Sequence, residues 1–149
     1  MYGEERRINM GTKIRPEISE NNKYWISRHR YYELKHFCLQ YPIWKKAYAV
    51  LDDLCVSAAN LEIVTATSGF PGDPTSKCAM AKVYYSERIN MLEKVAIETD
   101  KDLCAYILKA VTEDLSYTYL KTKMNIPCGK DMYYDRYRKF FWLLSKERE

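Results

Sequence analysis

Ser116-Tyr117-Thr118-Tyr119-Leu120-Lys121-Thr122-Lys123-Met124-Asn125-Ile126-Pro127-Cys128-Gly129 is the stretch on which the fold of this chain turns. Ser116 carries the hydroxyl that caps a helix start, and Tyr117, Leu120 and Met124 follow at helical spacing. At Asn125 the chain has to turn sharply, and asparagine tolerates the left-handed conformation that a glycine usually supplies. Ile126 then serves as an apolar plug between two helices, and Pro127 and Gly129 frame the start of the second. That second helix runs to about Lys146, with Tyr133, Tyr137, Phe140, Phe141 and Leu144 at i, i+4, i+7, i+8 and i+11. Lys130, Tyr134, Arg138 and Lys139 lie off this stripe, so one side packs and the other is left free. A short helix, a turn and a basic second helix stand in the order by which a helix-turn-helix seats one helix in a DNA groove.

Working outward, Asp100 is placed to cap a preceding helix whose buried side is Leu103, Ile107, Ala110 and Val111. Residues 100–149 therefore read as a helix-turn-helix module. Asp73-Pro74-Thr75 is another helix start, with Asp73 as N-cap and proline at the first helical position. The helix it opens reaches about Glu98, with Ala81, Tyr85, Ile89, Leu92 and Ala96 on one face. Before it, Leu61 to Pro74 reads as the main loop; its Gly69-x-x-Gly72 lacks the lysine and the spacing of a phosphate-binding loop. Further back, Trp44, Ala47, Tyr48, Leu51, Leu54, Cys55 and Ala58 form an uninterrupted apolar stripe. Tyr24, Tyr31, Leu34, Cys38 and Tyr41 define a first helix from Lys23, which Pro42 breaks. Residues 1–22 are polar and aperiodic and contain Gly3, Gly11 and Pro16, so they read as a flexible arm. The expected fold is all-α, a helical bundle with a C-terminal helix-turn-helix: arm 1–22, helical region 23–99 with loop 61–74, and module 100–149.

Composition supports this class and excludes others. A 47% hydrophobic and 30% charged chain of 149 residues has the material for one folded core without metals or disulfides. Only five glycines and five prolines punctuate it, too few for the recurring turns of a many-stranded β fold. No apolar run approaches the roughly 18 residues of a membrane span, and Glu4, Glu5, Arg6 and Arg7 stand where a signal peptide has its apolar core. A cytoplasmic protein with no membrane association is expected. Cys38, Cys55, Cys78, Cys104 and Cys128 are odd in number and form no C-x-x-C pair, so they read as reduced, small apolar side chains. His29 and His36 read as ordinary polar-face histidines. No metal or other cofactor is expected, and no paired carboxylates, Cys/His dyad or phosphate loop points to an enzyme.

The formal net charge is +4, and its placement matters more than its size. From Ser116 onward, Lys121, Lys123, Lys130, Arg136, Arg138, Lys139, Lys146 and Arg148 face only Asp131, Asp135, Glu147 and Glu149. The first 36 residues are also net basic. The ends of the chain are thus the parts suited to a polyanion, although solvated helix faces give the same pattern.

The order of elements, the Tyr41-Pro42 break, Asp73-Pro74-Thr75, and the run from Tyr106-Ile107-Leu108-Lys109-Ala110-Val111 through Ser116-Tyr117 and Asn125-Ile126-Pro127-Cys128-Gly129 to Tyr133-Tyr134-Asp135-Arg136-Tyr137-Arg138-Lys139-Phe140-Phe141 resemble small phage and prophage proteins. The resemblance is to late-operon transcriptional regulators of the RinA and ArpU types. It implies a helical N-terminal region, a C-terminal helix-turn-helix similar to sigma factor region 4, and DNA-binding regulation in a bacterial host cell without a catalytic site. The sequence departs from the motif at Asp131, where a small buried residue is usual; the apolar register falls one residue later, at Met132.

The leading expectation is a sequence-specific regulator that binds double-stranded DNA through Lys121, Lys123, Lys130, Tyr134, Arg136, Arg138 and Lys139. Lys121, Lys123, Arg138 and Lys139 position the backbone, and Lys130, Tyr134, Arg136 and Arg138 are the candidates for base edges. The alternatives are a phage protein that inhibits or redirects a host protein, such as an RNA polymerase subunit or a nuclease, and a phage DNA-packaging or assembly protein. The large aromatics, Trp25, Trp44, Phe140, Phe141, Trp142 and the tyrosines, exceed what a small bundle easily buries, which predicts a homo-oligomer.

Overall fold

The structure, a computed structural model, describes residues 20–64 and 74–149, the side chains of 55–64 and 74–75 excepted. Among the described residues the chain is all-helical: α1 (Arg28–Leu39), α2 (Tyr41–Val64), α3 (Pro74–Thr99), α4 (Cys104–Glu113), α5 (Tyr117–Lys123) and α6 (Lys130–Glu147). No helix among them is long and apolar enough to cross a membrane.

The helix boundaries follow local chemistry. α1 starts later than its apolar spacing predicts, because Asn22 Oδ1 accepts the Tyr24 N–H at 2.9 Å and Ser27 Oγ accepts the Arg30 N–H at 3.3 Å. These short side-chain acceptors hold the backbone in turns and cap the helix where it begins. Pro42 does separate α1 from α2, and it sits in the first turn of α2, where a missing N–H costs no helical bond. Leu61 to Val64, expected in the loop, continue α2 instead. They contain no glycine or proline, and extending an existing helix costs far less than starting one. Pro74 opens α3 as expected; its proposed cap Asp73, like the rest of 65–73 and the arm up to residue 19, lies outside the described residues.

The chain divides into two compact units, one formed by Met1–Leu39 with Leu92–Glu149 and the other by Gln40–Met91. This differs from the boundary at residues 99 and 100 that the sequence suggests. α1 packs on α4 and α6, so its apolar face is completed by residues from the far end of the chain. In this first unit Tyr31, Leu34 and Cys38 of α1 are buried with Leu92 and Val95 of α3, Ile107 of α4, Leu120 of α5, and Tyr133, Phe140, Phe141 and Leu144 of α6. Each of Phe140, Phe141 and Leu144 contributes about 1.5 to 3 kcal/mol by leaving water. The Tyr31 ring meets Phe141 edge-on at 5.1 Å, and the Tyr31 and Tyr137 hydroxyls share a 2.6 Å hydrogen bond. Arg30 fastens the same two helices, donating from Nε to Ser145 Oγ at 3.0 Å and from Nη2 to the Ser145 carbonyl at 2.9 Å. Lys35 is buried but not uncompensated, since Asp114 lies 3.4 Å from its Nζ.

The second unit contains α2 and α3 as far as Met91. Tyr41 and Trp44 are buried, and Lys82 Nζ lies 2.6 Å from Asp52 Oδ1 and 5.3 Å from the Tyr48 ring centre. The apolar stripe read from Trp44 to Ala58 is not buried along its length. Ala47, Tyr48 and Leu51 are half-buried, Leu54 is 53% exposed, and the side chains of Cys55 and Ala58 are outside the described set.

Candidate nucleic-acid interface

The turns around α5 are built by backbone geometry that the sequence foreshadows. Asp114 closes α4 in the left-handed region, at φ 55°, and its N–H and that of Leu115 both donate to the Ala110 carbonyl. Two residues on, Ser116 is extended and its Oγ accepts the Tyr119 N–H at 3.2 Å, which caps α5. α5 ends at Lys123 with Met124 as its cap, and Asn125, the next residue, has a φ of 54°, the left-handed turn usually given to glycine. The Ile126 N–H then returns to the Leu120 carbonyl at 3.1 Å, and the Ile126 side chain is 1% exposed. Tyr117 Oη donates to the Cys128 carbonyl at 2.8 Å and ties the start of α5 to the end of the connection. Residues 124–129 make this connection longer than the turn of about three or four residues in a standard helix-turn-helix.

The longer connection accounts for the displaced register at the start of α6. Asp131 is exposed and Met132, expected to carry the apolar register, is 45% exposed. The first buried residue of α6 is Tyr133. Gly129, the residue before α6, is extended and provides no side-chain cap; a Cβ placed there would meet nothing within 4 Å. The first turn of α6 thus receives no capping bond from the residue before it, and the positive end of the helix dipole lies there.

The seven residues expected to contact DNA fall into two groups. Lys121 and Lys123 are exposed on the last turn of α5, Lys130 is exposed at the start of α6, and Arg138 and Lys139 are half-buried further along it. Among the described residues none of these five has an ion pair, so their charge is available to a ligand. Arg136 is committed elsewhere, with Nε 3.0 Å from Asp100 Oδ2 and Nη1 2.6 Å from Asp135 Oδ2. Tyr134 corrects the reading of an outward-facing residue: it is only 9% exposed. Its ring lies 6.3 Å from Tyr117 and 5.2 Å from Tyr133, because Tyr117 of α5 covers a second side of the first turns of α6 and widens the apolar stripe there. Lys130 Nζ sits 6.0 Å from the Tyr134 ring centre, so Tyr134 serves as a floor for Lys130. Tyr119, not singled out from the sequence, is 42% exposed one turn before Lys123; the i, i+4 pairing of an aromatic with a lysine was the available signal.

The ionisable groups beneath this surface are held in place. For Asp100, burial alone would raise the carboxyl pKa, but hydrogen bonds from Arg136 and from the Leu103 and Asp102 N–H groups outweigh it and leave the pKa lowered. The bond to Asp100 in turn raises the Arg136 pKa, so this pair stays charged. Burial pushes the Cys128 thiol and the Tyr133, Tyr134 and Tyr137 phenols upward, and all four stay protonated at neutral pH. None of them is an activated nucleophile. Chemically, the exposed cations of α5 and α6 can make electrostatic and hydrogen-bond contacts with an anionic ligand. No family model, curated protein or solved structure matches this chain, so the function rests on its own residues.

Proposed function

We propose that this protein is a double-stranded DNA-binding regulator of the phage late-operon kind, in which α5 and α6 form the contact surface. The observation that carries the reading is the set Lys121, Lys123, Lys130, Arg138 and Lys139, five cations that have no ion pair among the described residues, on two helices that bury Leu120 and the Tyr133, Phe140, Phe141 and Leu144 stripe. Cations with no carboxylate partner among the described residues are suited to phosphates. The start of α6, which has no side-chain cap at Gly129, adds backbone N–H donors of the type that bind phosphate oxygens. Lys130 is the base-edge candidate, at the end of α6 that meets bases in a helix-turn-helix, with Arg138 about 12 Å along the same side. Tyr134 and Arg136 take positioning roles: one supports Lys130, and the other anchors α6 to Asp100.

Selection of bound duplexes from a random DNA pool, followed by titration across salt concentrations, tests this reading. Enrichment of a preferred sequence is expected, with affinity falling steeply as salt rises. Lys123→Ala and Lys139→Ala should each reduce the salt slope by about 0.9 and weaken all sequences alike. Affinity that is flat between low and moderate salt, with no sequence enriched, overturns the reading.

A further inference from the structure

Ile43, Ala47, Val50 and Leu54 of α2 are spaced four, three and four residues apart, the spacing of a coiled-coil seam. Three of them are open to solvent, Ile43 at 65%, Val50 at 58% and Leu54 at 53%. The residues on one flank of the seam, Trp44 and Leu51, turn inward: Trp44 is 4% exposed and Leu51 half-buried. The residues on the other flank are Lys46 and Asp53, each directly before a seam residue, both exposed and without an ion pair among the described residues. Their immediate neighbours are engaged within the chain, Asp52 with Lys82 at 2.6 Å and Lys45 over the Tyr41 ring at 5.4 Å.

The charge order along this flank selects an occupant. A positive residue at one end of the open seam and a negative one two turns later form a pattern that is its own complement when reversed. A second copy of α2 laid antiparallel, related by a two-fold axis between Ala47 and Val50, brings Lys46 of each protomer to Asp53 of its partner. Residues at this seam position face their own equivalents in an antiparallel pair of helices, and the two-fold axis makes the contact twice. A parallel pair would set Lys46 beside Leu51 and leave both charges unmatched. We infer that the face of α2 formed by Ile43, Ala47, Val50 and Leu54 is a homodimer interface, closed by an antiparallel copy of itself through two Lys46–Asp53 ion pairs. This surface is separate from α5 and α6, and its test needs no DNA.

The test is the association state of the full chain by sedimentation equilibrium from about 1 to 100 µM, where pairs of modest affinity dissociate. The wild type should be dimeric at the upper end, and Val50→Glu monomeric with its helix content unchanged by circular dichroism. Lys46→Asp and Asp53→Lys each set two pairs of like charges face to face and should weaken association about tenfold or more. The double variant Lys46→Asp with Asp53→Lys restores opposite charges in reversed order and should recover association to near the wild-type level. Met80→Asp, at an exposed position on α3, should leave association unchanged. A wild type that stays monomeric, association that Met80→Asp abolishes while Val50→Glu does not, or a double variant no better than the single ones would each overturn the inference.

Discussion

Truncating Ile126 to alanine measures how far the packing of α5 against α6 depends on one side chain. Ile126 is 1% exposed, and the change removes three carbons while leaving its N–H bond to the Leu120 carbonyl in place. At about 0.8 kcal/mol per buried methylene the transfer loss is about 2.4 kcal/mol. Leu120 and Tyr133 also lie in the core and are held by their own helices, so the site collapses only partly and the residual cavity adds about 1 kcal/mol. The expected loss is therefore about 3 to 4 kcal/mol, a large share of the roughly 5 to 15 kcal/mol that holds a domain together. Urea unfolding followed by circular dichroism should show an earlier midpoint with an unchanged slope, and thermal melting should fall by about 10 °C. Met132→Ala, at a 45% exposed neighbour on α6, should stay within about 0.5 kcal/mol of wild type. An Ile126→Ala loss under about 1 kcal/mol, or a Met132→Ala loss that exceeds it, would refute the placement of Ile126 as the plug between the two helices.

Three further outcomes follow from the same surface. The lowered pKa of Asp100 means that its stabilising effect is present above the unfolded value of about 3.9 and is lost as pH falls through the folded value. Asp100→Asn should cost about 1 to 2 kcal/mol at pH 7, and denaturant titrations down to pH 2 should show the gap closing; a gap that persists at pH 2 would contradict the ion pair with Arg136. Gly129→Asp should add a missing N-cap and raise the melting temperature slightly while placing a negative charge where a phosphate approaches, so stability rises and DNA affinity falls. Parallel changes in both would refute the role given to the first turn of α6. Lys130→Ala should shrink the ratio of specific to non-specific DNA affinity by about 1 to 3 kcal/mol, whereas Lys146→Ala should not, since Lys146 lies 3.4 Å over the Trp142 ring. Greater sensitivity at Lys146 in a competition titration would reverse the orientation proposed for α6.

What could be read in advance depended on how local the governing physics is. Ser116 as a cap, Asn125 as a left-handed turn, the burial of Ile126, and Tyr133, Phe140, Phe141 and Leu144 of the stripe, with Tyr137 half-buried among them, were legible, because each follows from a residue and its neighbours within two turns. Tyr134 was misread because its cover comes from Tyr117 across the connection, which helical periodicity cannot register. Arg136 was read as a DNA contact because its partner Asp100 lies 36 residues away in sequence. The same limit explains Leu54: periodicity marks an apolar face but does not say whether anything in the chain meets it. The membership of α1 was hidden for this reason too, since no spacing rule tells a helix which later helices will complete it.

That membership has a consequence for how the chain comes to be folded. The hydroxyl bond from Tyr31 to Tyr137 spans 106 residues and the Arg30 to Ser145 contact spans 115, so α1 leaves the ribosome long before α6 exists. At about 5 to 20 residues per second, its apolar side waits roughly 5 to 20 seconds for its permanent cover. During that interval Tyr31, Leu34 and Cys38 lack the α6 residues that cover them, while Gln40–Met91 becomes complete in sequence about halfway through it. Chains stopped before α6 should therefore be substrates for proteases and chaperones along α1, at a site more than 90 residues upstream of the missing segment.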